Sequence, residues 1–267
     1  MQTPRNKAIE LQQASVVFGS GDKAVTALSP TQLTLEQGDF VALVGPSGCG
    51  KSTILRLVTS LIKPSSGAVI VGGRDAAIRQ LRMGMAFQNP VLLEWRSILK
   101  NVLLPLEIVP TKLTKQQAED RARRLLALVG LEGFENKRPS ELSGGMRQRA
   151  SLCRALIHQP DVLILDEPFG ALDAFTREDL WQIMHEVKKE EPFTAVLITH
   201  DLRESIFLAD QVVVLSGRPA RTQYTLDVAF DGPRKIDHLY TPEAAVMLNT
   251  LRHQIEIAQG RTSGEAA

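Results

Sequence analysis

The stretch Phe40-Val41-Ala42-Leu43-Val44 followed by Gly45-Pro46-Ser47-Gly48-Cys49-Gly50-Lys51-Ser52-Thr53 narrows the choice of fold more than any other part of this 267-residue chain. Five uninterrupted apolar residues suit a strand buried on both faces, as in a parallel sheet. The glycine-rich turn and the helical pattern Thr53 to Val58 make the whole a strand–loop–helix unit. In that context Gly45, Gly50, Lys51 and Ser52 satisfy the phosphate-loop pattern G-x-x-x-x-G-K-[ST]. Each residue type has a task. The glycines let backbone N–H groups turn inward around phosphate oxygens. The following helix offers its positive end. Lys51 places a charge on the β/γ-phosphates and Ser52 offers a hydroxyl to Mg²⁺. The chain is therefore expected to be α/β and to bind a nucleoside triphosphate along Gly45, Pro46, Ser47, Gly48, Cys49, Gly50, Lys51, Ser52 and Thr53.

The surrounding pattern agrees. Ile9–Leu11, Ser15–Phe18 and the alternating Thr31–Leu35 read as strands, with a turn at Gly19–Asp22. Pro64–Gly67 is a turn before the strand Ala68–Val71. From about Asn89 the character becomes helical. Thr114–Gln117 reads as a capping box opening a helix over Gln116–Val129, with Gly130 as its stop. Strands return at Val162–Leu165, Ala195–Ile198 and Gln211–Leu215, with a helix at about Arg177–Glu190 between the first two. Beyond Ser216 the pattern is less regular, apart from a helix near Ala244–Ala258 and a frayed Gly/Ser/Ala tail.

Composition excludes several classes. A formal net charge of +1 gives no broad electrostatic footprint for nucleic acid. No apolar run approaches the roughly 20 residues that span a bilayer. Met1–Glu10 is polar and lacks an apolar signal core, so secretion is not expected. Cys49 and Cys153 have neither metal-ligand nor disulfide spacing, and a reducing cytoplasm is the default. Cys49 reads as a small side chain tolerated in the loop rather than a redox switch.

Val162-Leu163-Ile164-Leu165 ends in Asp166-Glu167. Asp166 suits Mg²⁺ binding through water, and Glu167 suits the general base that polarises an attacking water. Between these two motifs lies Leu142-Ser143-Gly144-Gly145-Met146-Arg147-Gln148-Arg149. Ser143 is a good helix N-cap. Gly144 and Gly145 permit close backbone approach, and the helix Met146–His158 points its positive end outward.

In order and spacing, these motifs resemble the ATP-binding subunits of ATP-binding-cassette (ABC) transporters over roughly residues 8–215. The resemblance implies a P-loop NTPase core of mostly parallel sheet with helices, an N-terminal antiparallel β subdomain and an inserted helical subdomain. The core would be 1–88 and 151–215, the helical part 89–150 and a C-terminal extension 216–267. The resemblance also implies that Ser143, Gly144 and Gly145 meet the γ-phosphate of ATP held on a partner subunit's loop. Gln88 matches the family's glutamine loop and would reach Mg²⁺ or the attacking water. His200 matches the switch histidine that contacts the γ-phosphate and holds the geometry of Glu167. Gly170-Ala171-Leu172-Asp173 resembles the segment that crosses the dimer interface, with Asp173 its principal residue. Phe18 stands where an aromatic stacks on adenine, and a ring face suffices for that.

Partners follow from the same resemblance. They are a second ATPase subunit in a homodimer, transmembrane permease subunits and, indirectly, a periplasmic or extracellular solute-binding protein. The chain would lie peripherally on the cytoplasmic face of the inner membrane. Trp95, in the segment 90–107, is a candidate anchor for the permease. Many family members have Gln in place of Met146. The Met form and the phrase LLEW…NVLLPLE are similar to the branch that imports nitrate, sulfonates, taurine and related small solutes, although Glu94 replaces a common Pro. Two other readings stand beside the importer. One is a soluble ABC-type ATPase acting on chromosomes or ribosomes; against it, the insertion 89–150 is compact and has no sustained heptads, and there is one cassette. The other is half of an exporter, which would carry a fused membrane span.

Overall fold

A computed structural model describes residues 6–75, 82–170, 172–230 and 233–260. Part of the polar N-terminus, Ala171 and the Gly/Ser/Ala tail lie outside the described residues. The chain divides into two compact units, Met1–Leu81 with Thr194–Ala267, and Arg82–Phe193.

The first unit holds two sheets. In one, β1 (Lys7–Phe18) pairs antiparallel with β2 (Val25–Glu36) on one side and β4 (Ser66–Val71) on the other, with the short β5 (Arg74–Asp75) beyond β4. Its register sets Ile9 opposite Leu35 and Leu11 opposite Leu33, and all four are buried. The second sheet is mixed. Its central strand β3 (Phe40–Val44) is flanked in parallel by β8 (Thr194–Ile198) and β9 (Gln211–Leu215), and β10 (Thr222–Asp227) adds antiparallel to β9. Every residue of β3 and β8 is buried. That accounts for their continuous apolar runs, since both faces of a covered parallel strand need apolar side chains.

Helix α1 (Lys51–Val58) follows β3 and buries Ile54, Leu55, Leu57 and Val58, the spacing of one apolar helical stripe. Helix α6 (Leu202–Leu208) packs on β3 and β9, and α7 (Pro242–Ala258) packs on β9, β10 and α6.

In the second unit, β6 (Met83–Ala86) and β7 (Val162–Asp166) are parallel, with Gly84 opposite Leu163. Around them lie α2 (Ile98–Ile108), α3 (Lys115–Leu128), α4 (Gly144–Leu156) and α5 (Ala174–Glu190). The capping box of α3 is complete. Thr114 Oγ1 accepts from Gln117 N, and the Gln117 side chain accepts from Thr114 N at 2.9 Å. Helix α4 lies against β6 so closely that a Cβ on Gly84 would stand 2.1 Å from the Ala155 carbonyl oxygen. Its C-terminal carbonyls are capped by the buried Arg121, which donates to Leu156 O at 3.0 Å and Ile157 O at 2.8 Å and pairs with Glu191.

Several boundaries differ from the sequence expectation. Helix α1 starts at Lys51 rather than Thr53, because the glycine loop ends at Gly50 and helical bonding begins there at once, with Ile54 N donating to Gly50 O. Helix α5 starts at Ala174 rather than Arg177, because the Asp173 carboxylate caps it. The sequence reading did not anticipate β6, α6 or β10.

Candidate nucleotide site

In the first unit the phosphate loop hangs between β3 and α1. Gly45, Gly48 and Gly50 have φ of 150°, 71° and 120°. These are backbone conformations that side-chain-bearing residues rarely adopt. A Cβ on Gly50 would also lie 2.8 Å from the Ala220 Cβ. Ser47 and Gly48 are exposed, whereas the Cys49 thiol is buried under the loop. Lys51 folds back over the loop, its Nζ donating to the carbonyls of Gly45 at 2.8 Å and Pro46 at 3.0 Å. An incoming phosphate competes for those ammonium donors. Ser52 is exposed at the first turn of α1. Arg218 reaches the loop from the segment after β9 and donates to Gly48 O at 3.3 Å.

Phe18 ends β1 with its ring 44 % exposed, so it is not a core residue. His200 is exposed directly after β8. The turn that carries it is braced by the buried Glu204, which accepts from the Thr199 hydroxyl, while that hydroxyl accepts from Asp201 N at 3.0 Å.

In the second unit, β7 delivers Asp166 and Glu167 at its C-terminal end, both half-buried. Glu167 has φ of 48°. That left-handed conformation costs an L-residue about 1–2 kcal/mol, and such local strain gathers at functional sites. The side chain of Gln88, just past the end of β6, donates to Glu167 Oε2 at 2.9 Å. The structure thus brings together these two residues, which stand 79 positions apart.

Ser143 caps α4, its Oγ accepting from Met146 N at 3.3 Å. Ser143 and Gly144 are exposed at the positive end of the helix. Gly145 lies against Leu172, since a Cβ there would stand 2.9 Å from Leu172 Cδ2. Asp173 is exposed, and its bonds with Thr176 hold its carboxyl below the usual range. Phe175, in the first turn of α5, is 84 % exposed. Trp95 is 73 % exposed and so does not pack in its own subdomain. The loop carrying it is tied to α2 by the fully buried Asn101, whose amide bonds both Leu93 N and Leu93 O and also donates to the carbonyls of Arg96 and Ser97. Among the described residues no helix is long and apolar enough to cross a membrane.

Sequence reasoning passed over Asn101, Glu204, Arg218 and Gln148. Only Gln148, inside the LSGG-containing segment, stood within a motif that could have pointed to it.

Comparison with known proteins agrees with the geometry. Residues 28–170 match the family described as ABC transporter. The chain is 40 % identical to the sulfate/thiosulfate import ATP-binding protein of Synechococcus elongatus, over 96 % of this chain and 79 % of that protein. It is 41 % identical to the nitrate import ATP-binding protein of the same organism, over 78 % of this chain and 77 % of that one. It is 47 % identical to an aliphatic sulfonates import ATP-binding protein of Rhodococcus jostii, over 75 % and 78 %. A dimeric ATP-binding cassette solved in a post-hydrolysis state with ADP and Pi superposes with a TM-score of 0.74 at 27 % identity, covering 83 % of this chain and 99 % of that one. These similarities set aside the chromosome- or ribosome-bound alternative. On its motifs, its fold and these relatives, the chain belongs to the ABC transporter family, as one of its ATP-binding and ATP-hydrolysing subunits.

Proposed function

We propose that this subunit hydrolyses ATP in pairs and that the cycle of pairing drives import of a small oxyanion or organic anion through a separate permease. The observation that carries the catalytic reading is the Gln88–Glu167 hydrogen bond at a strained backbone position. Lys51 exchanges its loop carbonyls for the β/γ-phosphates, and the loop N–H groups with the start of α1 hold the remaining oxygens. Phe18 stacks on adenine. Glu167 takes a proton from the attacking water as general base, Gln88 orients that carboxylate and the water, and His200 contacts the γ-phosphate.

The donors offered to a metal are the Ser52 hydroxyl, the Gln88 amide oxygen and the Asp166 carboxylate. All are hard oxygens, and so few of them suit Mg²⁺, which relies on phosphates and water for its other ligands. When bound, Mg²⁺ neutralises charge on the phosphate oxygens.

Ser143, Gly144 and Gly145 present the positive end of α4 to nucleotide on a second copy, with Asp173 and its neighbours at the same interface. Each active site is then completed by a partner. The domain reading, with a helical part at 89–150 that receives the permease, fits the exposed Trp95. Names of the relatives supply the solute class: sulfate, nitrate and sulfonates. A solute-binding protein and a place on the cytoplasmic face of the membrane complete the picture.

Glu167→Gln tests the base. It should bind ATP as the parent does, accumulate an ATP-bound pair and turn over at a small fraction of the parental rate. Parental turnover would remove Glu167 from the mechanism.

A further inference from the structure

Gln148 lies one turn into α4, in the segment that opens at Ser143, and its side chain is buried. Its Nε2 donates to the Phe87 carbonyl at 2.8 Å. Phe87 immediately precedes Gln88, which donates to Glu167. A second residue of α4, Arg154, donates to the Val91 carbonyl. The segment 87–91 is therefore held to α4 on both sides of Gln88. Helix α4 also rests directly on β6 at Gly84, with no side chain between them.

The other amide atom of Gln148, Oε1, is buried with no hydrogen-bond partner among the described residues. An apolar side chain of the same size would fill this space without burying an unpartnered acceptor. What the amide adds is one donor, and that donor is spent on the residue before Gln88. The assignment of Nε2 as the atom facing Phe87 follows from chemistry, since a carbonyl oxygen accepts and only the amide nitrogen donates.

We infer that Gln148 is a positioning residue that couples the two nucleotide sites a single chain serves. This rests on the paired reading above. At one end of α4, Ser143 and the glycines meet the partner's nucleotide. Through Gln148 the same helix carries the Phe87 carbonyl, and with it Gln88 and the base Glu167, which act on the chain's own nucleotide. A small shift of α4 when the partner's γ-phosphate docks or leaves moves Gln88 against Glu167. Gln148 touches neither nucleotide and acts through Gln88.

The test uses mixed pairs in which one protomer carries Glu167→Gln, so that only the other hydrolyses ATP. Gln148→Met keeps the side-chain length and removes the donor. Placed in the hydrolysing protomer, it should lower kcat about tenfold with KM for ATP little changed, the effect of losing one hydrogen bond that matters only at the transition state. Placed in the Glu167→Gln protomer, it should leave kcat unchanged. A residue that merely supports α4 would lower kcat in the second arm as well, because that protomer's Ser143 end serves the active site of the other. Equal loss in both arms, or loss in neither, overturns the inference. If Gln148→Met does not fold by circular dichroism, Gln148→Leu replaces it, since its side chain also has no donor for Phe87, and the same two arms decide. Pairs in which both protomers carry Glu167→Gln are the separate control: parental turnover there removes Glu167 as the base and overturns the inference with it, since Gln148 acts through that base.

Discussion

Burial opposes protonation of His158, whose side chain sits against the Met83 carbonyl at 3.0 Å. Desolvation is the largest cause of its lowered pKa, with the charges of Arg82 and Arg121 adding to it and the Met83 bond and Asp161 opposing it. The unfolded chain titrates at about 6.5, above the folded value. Below that pH the unfolded chain binds the extra proton, so this contribution to stability is complete above about 6.5 and is lost as pH falls toward the folded pKa. Urea midpoints at about pH 7.5 and about pH 5.5 should differ more for the parent than for His158→Gln; equal differences would show that His158 does not carry the effect. At the phosphate loop, Gly50 combines φ of 120° with the close approach of Ala220. Gly50→Ala should abolish ATP binding while leaving the far-UV spectrum close to the parent's. Isothermal titration with ATP checks it, and parental affinity would contradict the geometry.

Among the elements, α3 was legible because its capping box and its stop at Gly130 are local signals within three or four residues. Strand β3 and the loop after it were legible for the same reason: an apolar run, glycines and a helix follow one another without a gap. Strand β6 was not. Met83-Gly84-Met85-Ala86 has no β-branched or aromatic residue, and a glycine weakens any strand on its own. It is a strand because β7 pairs with it and because α4 needs a backbone without a Cβ at Gly84, both long-range causes. Gly84→Ala should therefore destabilise the second unit by about 1–3 kcal/mol or more, the cost of overpacking against backbone. A denaturant midpoint equal to the parent's would contradict that packing. Asn101 was equally hidden, since a single Asn in a helical pattern reads as a solvated residue until the loop it ties is seen. Asn101→Ala should cost about 1–3 kcal/mol by removing the partner of Leu93 N and one bond each from the carbonyls of Leu93, Arg96 and Ser97. It should also loosen the Trp95 loop, which hydrogen exchange over residues 91–97 reads directly.

For the whole molecule, the sequence motifs divide between the two units, and the catalytic reading requires a second copy. The phosphate loop and His200 belong to the first unit, whereas Gln88, Glu167, Ser143 and Asp173 belong to the second. Motif order nominated all of them: Glu167 and His200 follow apolar strands and Ser143 and Asp173 sit at helix caps, whereas Gln88 was nominated by the family resemblance alone. The ties from α4 to the glutamine-loop segment escaped notice, because they join residues 61 and 63 positions apart through side chains that no short pattern records. The paired mechanism has one decisive consequence. On that mechanism a chain with Lys51→Ala should not hold its own nucleotide productively, and a chain with Ser143→Arg should not serve its partner's. Each alone should be inactive. Mixed, they form pairs in which both lesions fall in one site and the other site is intact. ATPase activity of the mixture is the most direct measurement: activity that neither variant has alone is the result expected here, and a mixture as inactive as its components would contradict a site shared between two copies.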